Sequence, residues 1–188
     1  MTSQQGADIL LAAYKAEVDF RQREFKDDAE TRNNIGRLAN FLCGGGSKFG
    51  VMMCGLCGNG KTTLLYALQA AINYLSDARV LPNDGLRIVD AKDVAQYAKD
   101  AKHFDVLRSA TLLAIEDMGR EPTEVLDFGN VLNPVTDLLE FRYNRQLFTV
   151  ITTNLTAGQV STKYGKRVAD RFNEMLDVIV FENKSYRK

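Results

Sequence analysis

The sequence has no surplus of charge of either sign: 24 basic and 24 acidic residues cancel over 188 positions, and the pI is near 6.6. No global field therefore draws the chain to nucleic acid or to a membrane, so any basic surface must be a local patch. Nor is there an apolar run approaching the roughly 20 residues that span a bilayer. The start, MTSQQGADIL, shows no charged leader followed by an apolar stretch, so we expect a cytoplasmic protein with no membrane partner. Cysteine is scarce. With only Cys43, Cys54 and Cys57 there is no even set for a disulfide framework, and a reducing compartment would leave all three as thiols. Internal repeats and low-complexity segments are also missing. What remains, 45% hydrophobic and 26% charged residues, suits one globular domain able to bury a real core.

The stretch MCGLCGNGKTTLL, Met53 to Leu65, carries two overlapping patterns. Cys54 and Cys57 form a C-x-x-C, while Gly55, Gly60, Lys61 and Thr62 form a G-x-x-x-x-G-K-T. A structural zinc site wants about four Cys or His ligands, and beyond this pair the chain offers only Cys43 and the lone His103. A thioredoxin-like site would need its second cysteine at a helix start, but Cys57 falls inside a glycine turn. Both cysteines therefore read as inert thiols, and His103, beside Phe104, as an ordinary partly packed histidine.

The phosphate-loop pattern explains more residues. An apolar extended run, 50–54, enters the loop and a strong helix former, 62–75, leaves it, which is the strand-loop-helix setting the motif requires. Gly55, Gly58 and Gly60 let the backbone turn its N–H groups inward, and the helix dipole adds positive potential there. Cys57, Asn59 and Thr63 complete the loop that would wrap ATP. Lys61 would reach the β- and γ-phosphates and Thr62 would offer its hydroxyl to Mg²⁺. A glycine-rich turn that happens to precede a helix is the plain alternative.

A phosphate loop needs a metal-holding acid. Thr111 to Asp117, TLLAIED, is a short apolar strand ending in two acids, the form of a Walker B element at the carboxyl edge of a parallel sheet. Glu116 would hold Mg²⁺ through water, and Asp117 would orient or deprotonate the attacking water; helix capping is the duller role for such a pair. Elsewhere, 86–90 reads as a strand followed by a helix from about 93 to 104. Pro134 opens a helix through 144, 147–152 is a strand and 178–181 a last short one. This alternation predicts a three-layer α/β sandwich around a central parallel five-stranded sheet, the setting in which P-loop NTPases carry their phosphate loop. Asn154, just past the fourth strand, is a polar side chain where a γ-phosphate or its water would lie. Arg167 and Arg171, four apart, share one helix face and read either as solvated surface or as a cation offered to a neighbouring subunit.

The amino-terminal residues divide from the rest. Leu10, Tyr14, Val18 and Phe25 form an apolar stripe at helical spacing, which either packs on the domain or docks on a partner. We divide the chain into a helical segment, 1–28, and an ATPase domain, 29–188. Ile35, Leu38, Ala39 and Leu42 continue in a second helix that Gly44 to Gly46 would stop. A basic end, 184–188, is either solvated or a contact for DNA phosphates.

Taken in order, GLCGNGKTT, LLAIEDMG, VITTNL, YGKRVADRFNEM and the terminal SYR resemble the AAA+ ATPases of the DnaC-type helicase loader and IstB-type transposition helper branch, from about Ile35 to Arg187. Arg142-Tyr143 also matches that branch. The resemblance implies that Asn154 is the sensor 1 residue, Arg167 the leading arginine-finger candidate and Arg171 the second. It further implies ATP between subunits of a homo-oligomer, single-stranded DNA at a central face, and a replicative helicase or transposase as partner. The order Glu116 then Asp117 departs from the branch, whose metal acid is usually Asp, and points to slow turnover. Only seventeen residues follow Arg171, so we expect no C-terminal helical lid, with Arg187 as a substitute for the lid arginine. A small P-loop kinase and a nucleotide-binding adaptor with little turnover are the alternatives; for the kinase we find no acceptor pocket or arginine-bearing lid.

Overall fold

The protein is described by a computed structural model covering residues 1–80, 85–127 and 130–186. Five strands form the central sheet, and each runs parallel to its neighbours. They are β1 (Gly50–Gly55), β2 (Arg87–Asp90), β3 (Leu112–Met118), β6 (Phe148–Thr153) and β7 (Leu176–Phe181), in the spatial order β2-β3-β6-β1-β7. A separate antiparallel hairpin, β4 (Val125–Asp127) with β5 (Asn130–Leu132), was not foreseen. β6 lies at the sheet's centre, flanked on one side by β1, which enters the glycine loop, and on the other by β3, which bears the two acids.

Alternation along the strands sorts the core into two layers, because successive side chains point to opposite faces. Val51, Met53, Ala114, Val150 and Ile179 pack beneath α1 (Ser3–Phe20), α2 (Ala29–Asn40) and α3 (Lys61–Asp77). Met52, Leu113, Ile115 and Ile151 face the other layer, built from α4 (Ala91–Tyr97), α5 (Ala101–Arg108), α6 (Pro134–Asn144), α7 (Ala157–Tyr164) and α8 (Lys166–Met175). A parallel sheet is covered on both faces because its crossovers put helices there. This is the three-layer α/β architecture expected. The described residues after β7, 182–186, carry no helix.

Three local readings need correction. The single helix foreseen over 93–104 is two, because the Asp100 carboxylate accepts from the amides of Lys102 and His103 and starts α5 afresh. The stripe Leu10, Tyr14, Val18 is buried against α2 and α3, but Phe25 is not on that helix. The helix stops at Phe20, Gln22 takes φ 54°, and Phe25 returns edge-on to Tyr14 with ring centroids 6.2 Å apart. Toward the carboxyl end, the stretch from Tyr164 to Phe172 reads as one basic helical turn, but Gly165 at φ 85° separates α7 from α8, leaving Arg167 and Arg171 together on α8. The stop at Gly44 to Gly46 is present, with Gly44 at φ 94° closing a π turn over Phe41–Gly45.

His103, expected to be partly packed, is instead exposed and pairs with Asp100, Nδ1 to Oδ2 2.8 Å. None of the three cysteines is in a disulfide, and no cluster of three or more metal-ligating side chains occurs among the described residues. No helix among them is long and apolar enough to cross a membrane. Arg187 and Lys188 of the basic end lie outside the described residues.

Candidate nucleotide site

The loop between β1 and α3 is shaped by backbone conformations that side chains resist. Gly55 has φ 144°, and a Cβ there would lie 2.4 Å from the Phe181 carbonyl oxygen. Gly60, the N-cap of α3 at φ 98°, leaves no side chain between the helix's first amides and solvent, and a Cβ would stand 2.8 Å from the Tyr14 hydroxyl. Both positions demand glycine. Asn59 is buried and bridges two parts of the loop: its Nδ2 donates to Phe181 O at 2.8 Å and its Oδ1 accepts from Lys61 Nζ at 3.0 Å. Lys61 is 5% exposed, and its ammonium also donates to the carbonyls of Gly55 and Leu56, both at 2.7 Å. Cys57 is the exposed cysteine, whereas Cys54 sits at the end of β1, where burial pushes its thiol pKa up.

A cleft of about 850 Å³ opens above this loop. Its floor is the loop from Cys57 to Thr63, and Asp117, Arg120 and Asn154 stand on one side. The opposite wall comes from the segment after α1, with Arg21, Arg23 and Phe25, and from Tyr186 near the end of the chain. The volume lies within the usual range for small-ligand sites.

The two acids part company at a bulge. Pairing between β3 and β6 shifts register between Ile115 and Met118, and Asp117 adopts φ 54°. Aspartate tolerates this left-handed conformation better than most residues, and bulges re-aim side chains beside functional sites. Asp117 thereby enters the cleft, where its Oδ2 takes the Arg120 Nη1 at 2.6 Å; its amide is held by Thr152 Oγ1 at 2.9 Å. Glu116 does not line the cleft. Its Oε2 instead accepts from the Tyr66 hydroxyl at 3.1 Å on α3, and burial, then the Glu116 charge, raises the Tyr66 pKa.

Behind Asp117 the turn is pinned to α7. Glu121 is 3% exposed, yet its carboxylate accepts from the Tyr164 hydroxyl and, at 2.8 Å, from the Gly119 amide. Lys163 Nζ donates to the carbonyls of Gly119 at 2.8 Å and Glu121 at 2.5 Å. Burial and the Glu121 carboxylate together drive the Tyr164 pKa well above its ordinary value, so that phenol stays a donor.

Arg167 and Arg171 belong to a different surface. Both face Glu140 on α6, at 3.5 Å and 2.7 Å respectively, and neither lines the cleft. Arg171 is also stacked over Tyr143, its guanidinium carbon 5.0 Å from the ring centroid, while the Arg167 side chain is 73% exposed. Lys61, Thr62, Thr63, Asp117 and Asn154 are thus gathered in one place; Glu116 is beside it and the two arginines are outside it.

Sequence reasoning missed Arg120, Tyr14 and the wall over 21–26. Arg120, three residues after Asp117 and just past Gly119, carried a usable signal. The other residues carried none, because only the fold brings them to the loop. Arg142, noted as a motif residue without a role, is fully buried at the other end of the sheet. Its guanidinium donates to the carbonyls of Arg108, Ala110 and Phe148 and to Thr149 Oγ1.

No protein-family model matches the chain, and no curated protein matches it either. Its backbone does match solved structures. The DnaC helicase loader superposes at a TM-score of 0.67 with 20% identity, covering 85% of this chain and 94% of that one. DnaI gives 0.61 and 19%, over 84% and 87% of the two chains. AMPPCP-bound DnaA from Aquifex aeolicus gives 0.56 and 19%, over 86% of this chain and 50% of the other. The chain shares the fold of these structures, and that fold is the three-layer α/β sandwich around a parallel sheet to which the sequence pointed.

Proposed function

We propose that this chain is an AAA+ ATPase that binds ATP in the 850 Å³ cleft, hydrolyses it slowly, and acts in DNA replication as a helicase loader. The observation that carries the reading is the convergence of Lys61, Thr62, Asp117 and Asn154 on one cleft above a loop whose glycines leave backbone amides unobstructed. Lys61 would exchange its carbonyl partners for the β- and γ-phosphates. Asn154 would contact the γ-phosphate or its water, and Asp117 would orient that water and receive its proton.

The donor set fits a magnesium ion carried with the nucleotide, since such ions keep several waters and take only one or two protein ligands beside the phosphates. Thr62 would hold it directly and Glu116, beside the cleft and bonded to Tyr66, through water, and it would supply neutralisation of phosphate charge. Arg167 and Arg171 lie away from the cleft of their own chain, which supports a role across a subunit boundary, with Arg167 the more exposed of the two. A homo-oligomer assembled on ATP, contacting single-stranded DNA and a replicative helicase, follows from this reading. A transposition helper would use the same site; the replication proteins among the structural matches favour the loader.

A nucleotide-binding adaptor with little turnover is the second reading. It is favoured by one specific feature: both acids are already engaged, Glu116 by Tyr66 and Asp117 by Arg120.

ATP hydrolysis measured over a range of protein concentrations, with and without single-stranded DNA, separates the two. We expect turnover per subunit to rise with concentration and DNA and to fall roughly 10³-fold in Arg167→Ala, the low end of what an arginine supplied in trans contributes. Turnover indifferent to concentration, DNA and Arg167 would leave the adaptor.

A further inference from the structure

The terminal SYR stretch has no role in the chemistry above, yet its tyrosine touches the phosphate loop and the amino-terminal helices at once. The Tyr186 amide donates to the Gly58 carbonyl at 2.9 Å. Its ring lies over Gly60, where a Cβ would meet it at 3.5 Å. Its hydroxyl donates to Asp28 Oδ2 at 2.5 Å, accepts from Asn183 Nδ2 at 2.5 Å and stands 2.9 Å from Thr31 Oγ1. Asp28 is itself fixed as the N-cap of α2 through the Thr31 amide, at 2.7 Å. The loop carbonyl is therefore held by the backbone, and the loop glycine and the helix cap by the side chain, of one residue 128 and 158 positions away from Gly58 and Asp28.

We infer that Tyr186 is a positioning residue for the phosphate loop, holding the Gly58 to Gly60 backbone against the α2 cap so that its amides are set for phosphate before ATP arrives. This rests on the reading of the cleft as an ATP site. The physical reason is preorganisation: a glycine-rich loop has the largest conformational freedom to lose, and a strap that removes this freedom beforehand raises affinity without touching the ligand. Two features make the strap stiff. Against burial, which would raise it, the hydrogen bonds from Tyr186 and Thr31 hold the Asp28 carboxyl below its ordinary range. Tyr14, the other hydroxyl facing Gly60, is buried beside the same pair.

The test is equilibrium binding of ATP with Mg²⁺ to the full chain and to Tyr186→Phe, Tyr186→Ala, Asp28→Asn and the double variant Tyr186→Phe/Asp28→Asn. Melting without nucleotide is followed in parallel. Asparagine keeps the N-cap of α2 but not the charge that receives the phenol proton. We expect Tyr186→Phe and Asp28→Asn each to weaken ATP binding roughly tenfold, the scale of one charge-assisted hydrogen bond. The double variant should be no weaker than either single one, because both remove the same link. Tyr186→Ala should be weaker still, with melting unchanged in the phenylalanine variant. ATP affinity unaltered in Tyr186→Ala while the parent binds would overturn this inference alone, as would strict additivity of the two single changes. A parent that binds no ATP would overturn the ATP site and the inference with it.

Discussion

Two cations buried at opposite ends of the same sheet show why burial alone does not mark function. Lys61, 5% exposed at the carboxyl end of β1, and Arg142, fully enclosed beneath the amino end of β6, both donate to backbone carbonyls. Burying a charge is costly unless it is well bonded, and the two sites meet that cost differently. Arg142 has a planar fork whose acceptors come from the end of α5, the turn before β3 and the start of β6, so it ties these segments together away from the nucleotide cleft. Burial lowers its pKa only to about 10, leaving it charged at neutral pH. Lys61 has a flexible stem, and its partners belong to the loop it would serve, on the floor of an open cleft. A cation whose acceptors can be exchanged for phosphate is a binding group; one whose acceptors are structural is a rivet.

The sharpest way to break this contrast is Arg142→Met. It removes the donor from four acceptors around a fully buried side chain, so we expect a loss of about 3 kcal/mol or more. In a domain of this size that corresponds to a fall of roughly 10 °C in melting temperature. A melting temperature within two degrees of the parent would show that Arg142 is no rivet.

Tyr14 extends the contrast to an uncharged group at the cleft. Burial, and then the neighbouring Tyr186 and Asp28, push its pKa from 10.0 up to about 12. Because the fold favours the protonated phenol, stability is unaffected below about pH 10 and falls as pH rises toward 12, by about 1.4 kcal/mol per unit at most. Chemical denaturation from pH 9 to 12 should show this fall, shallower in Tyr14→Phe. An identical slope in the variant would remove Tyr14 from the account.

Arg120→Ala carries the smallest effect. Its ion pair with Asp117 is half exposed and adds at most a fraction of a kcal/mol to stability, so melting should barely change. The cleft would lose a cation, and we expect kcat/KM for ATP to drop roughly fivefold. An unchanged kcat/KM would place Arg120 among surface residues.

Much of this was legible in the sequence, and the divide follows the range of the forces involved. The run into Gly55, the helix after Lys61 and the apolar strand before Glu116 are local patterns, and each is found where spacing placed it. That the five strands form one parallel sheet also followed from alternation of elements, though their spatial order did not. What escaped depended on single side chains or on distant contacts. Asp100 restarts a helix that periodicity ran straight through, and Gln22 ends α1 before a stripe that still looked helical at Phe25. The different directions of Glu116 and Asp117 come from a bulge that no strand pattern encodes. Tyr186 and the 21–26 wall reach the loop only because the ends of the chain close over it.

The central claim is that Lys61 is a ligand group and not a rivet. Titration calorimetry of ATP with Mg²⁺ against the parent and Lys61→Ala, with melting temperatures taken without nucleotide, tests it most directly. We expect the parent to bind and the variant to bind about 10- to 100-fold more weakly, the scale of one or two charge-assisted phosphate contacts, while the two melt together. Equal ATP affinity in the two proteins, or a variant that loses stability as Arg142→Met does, would contradict it.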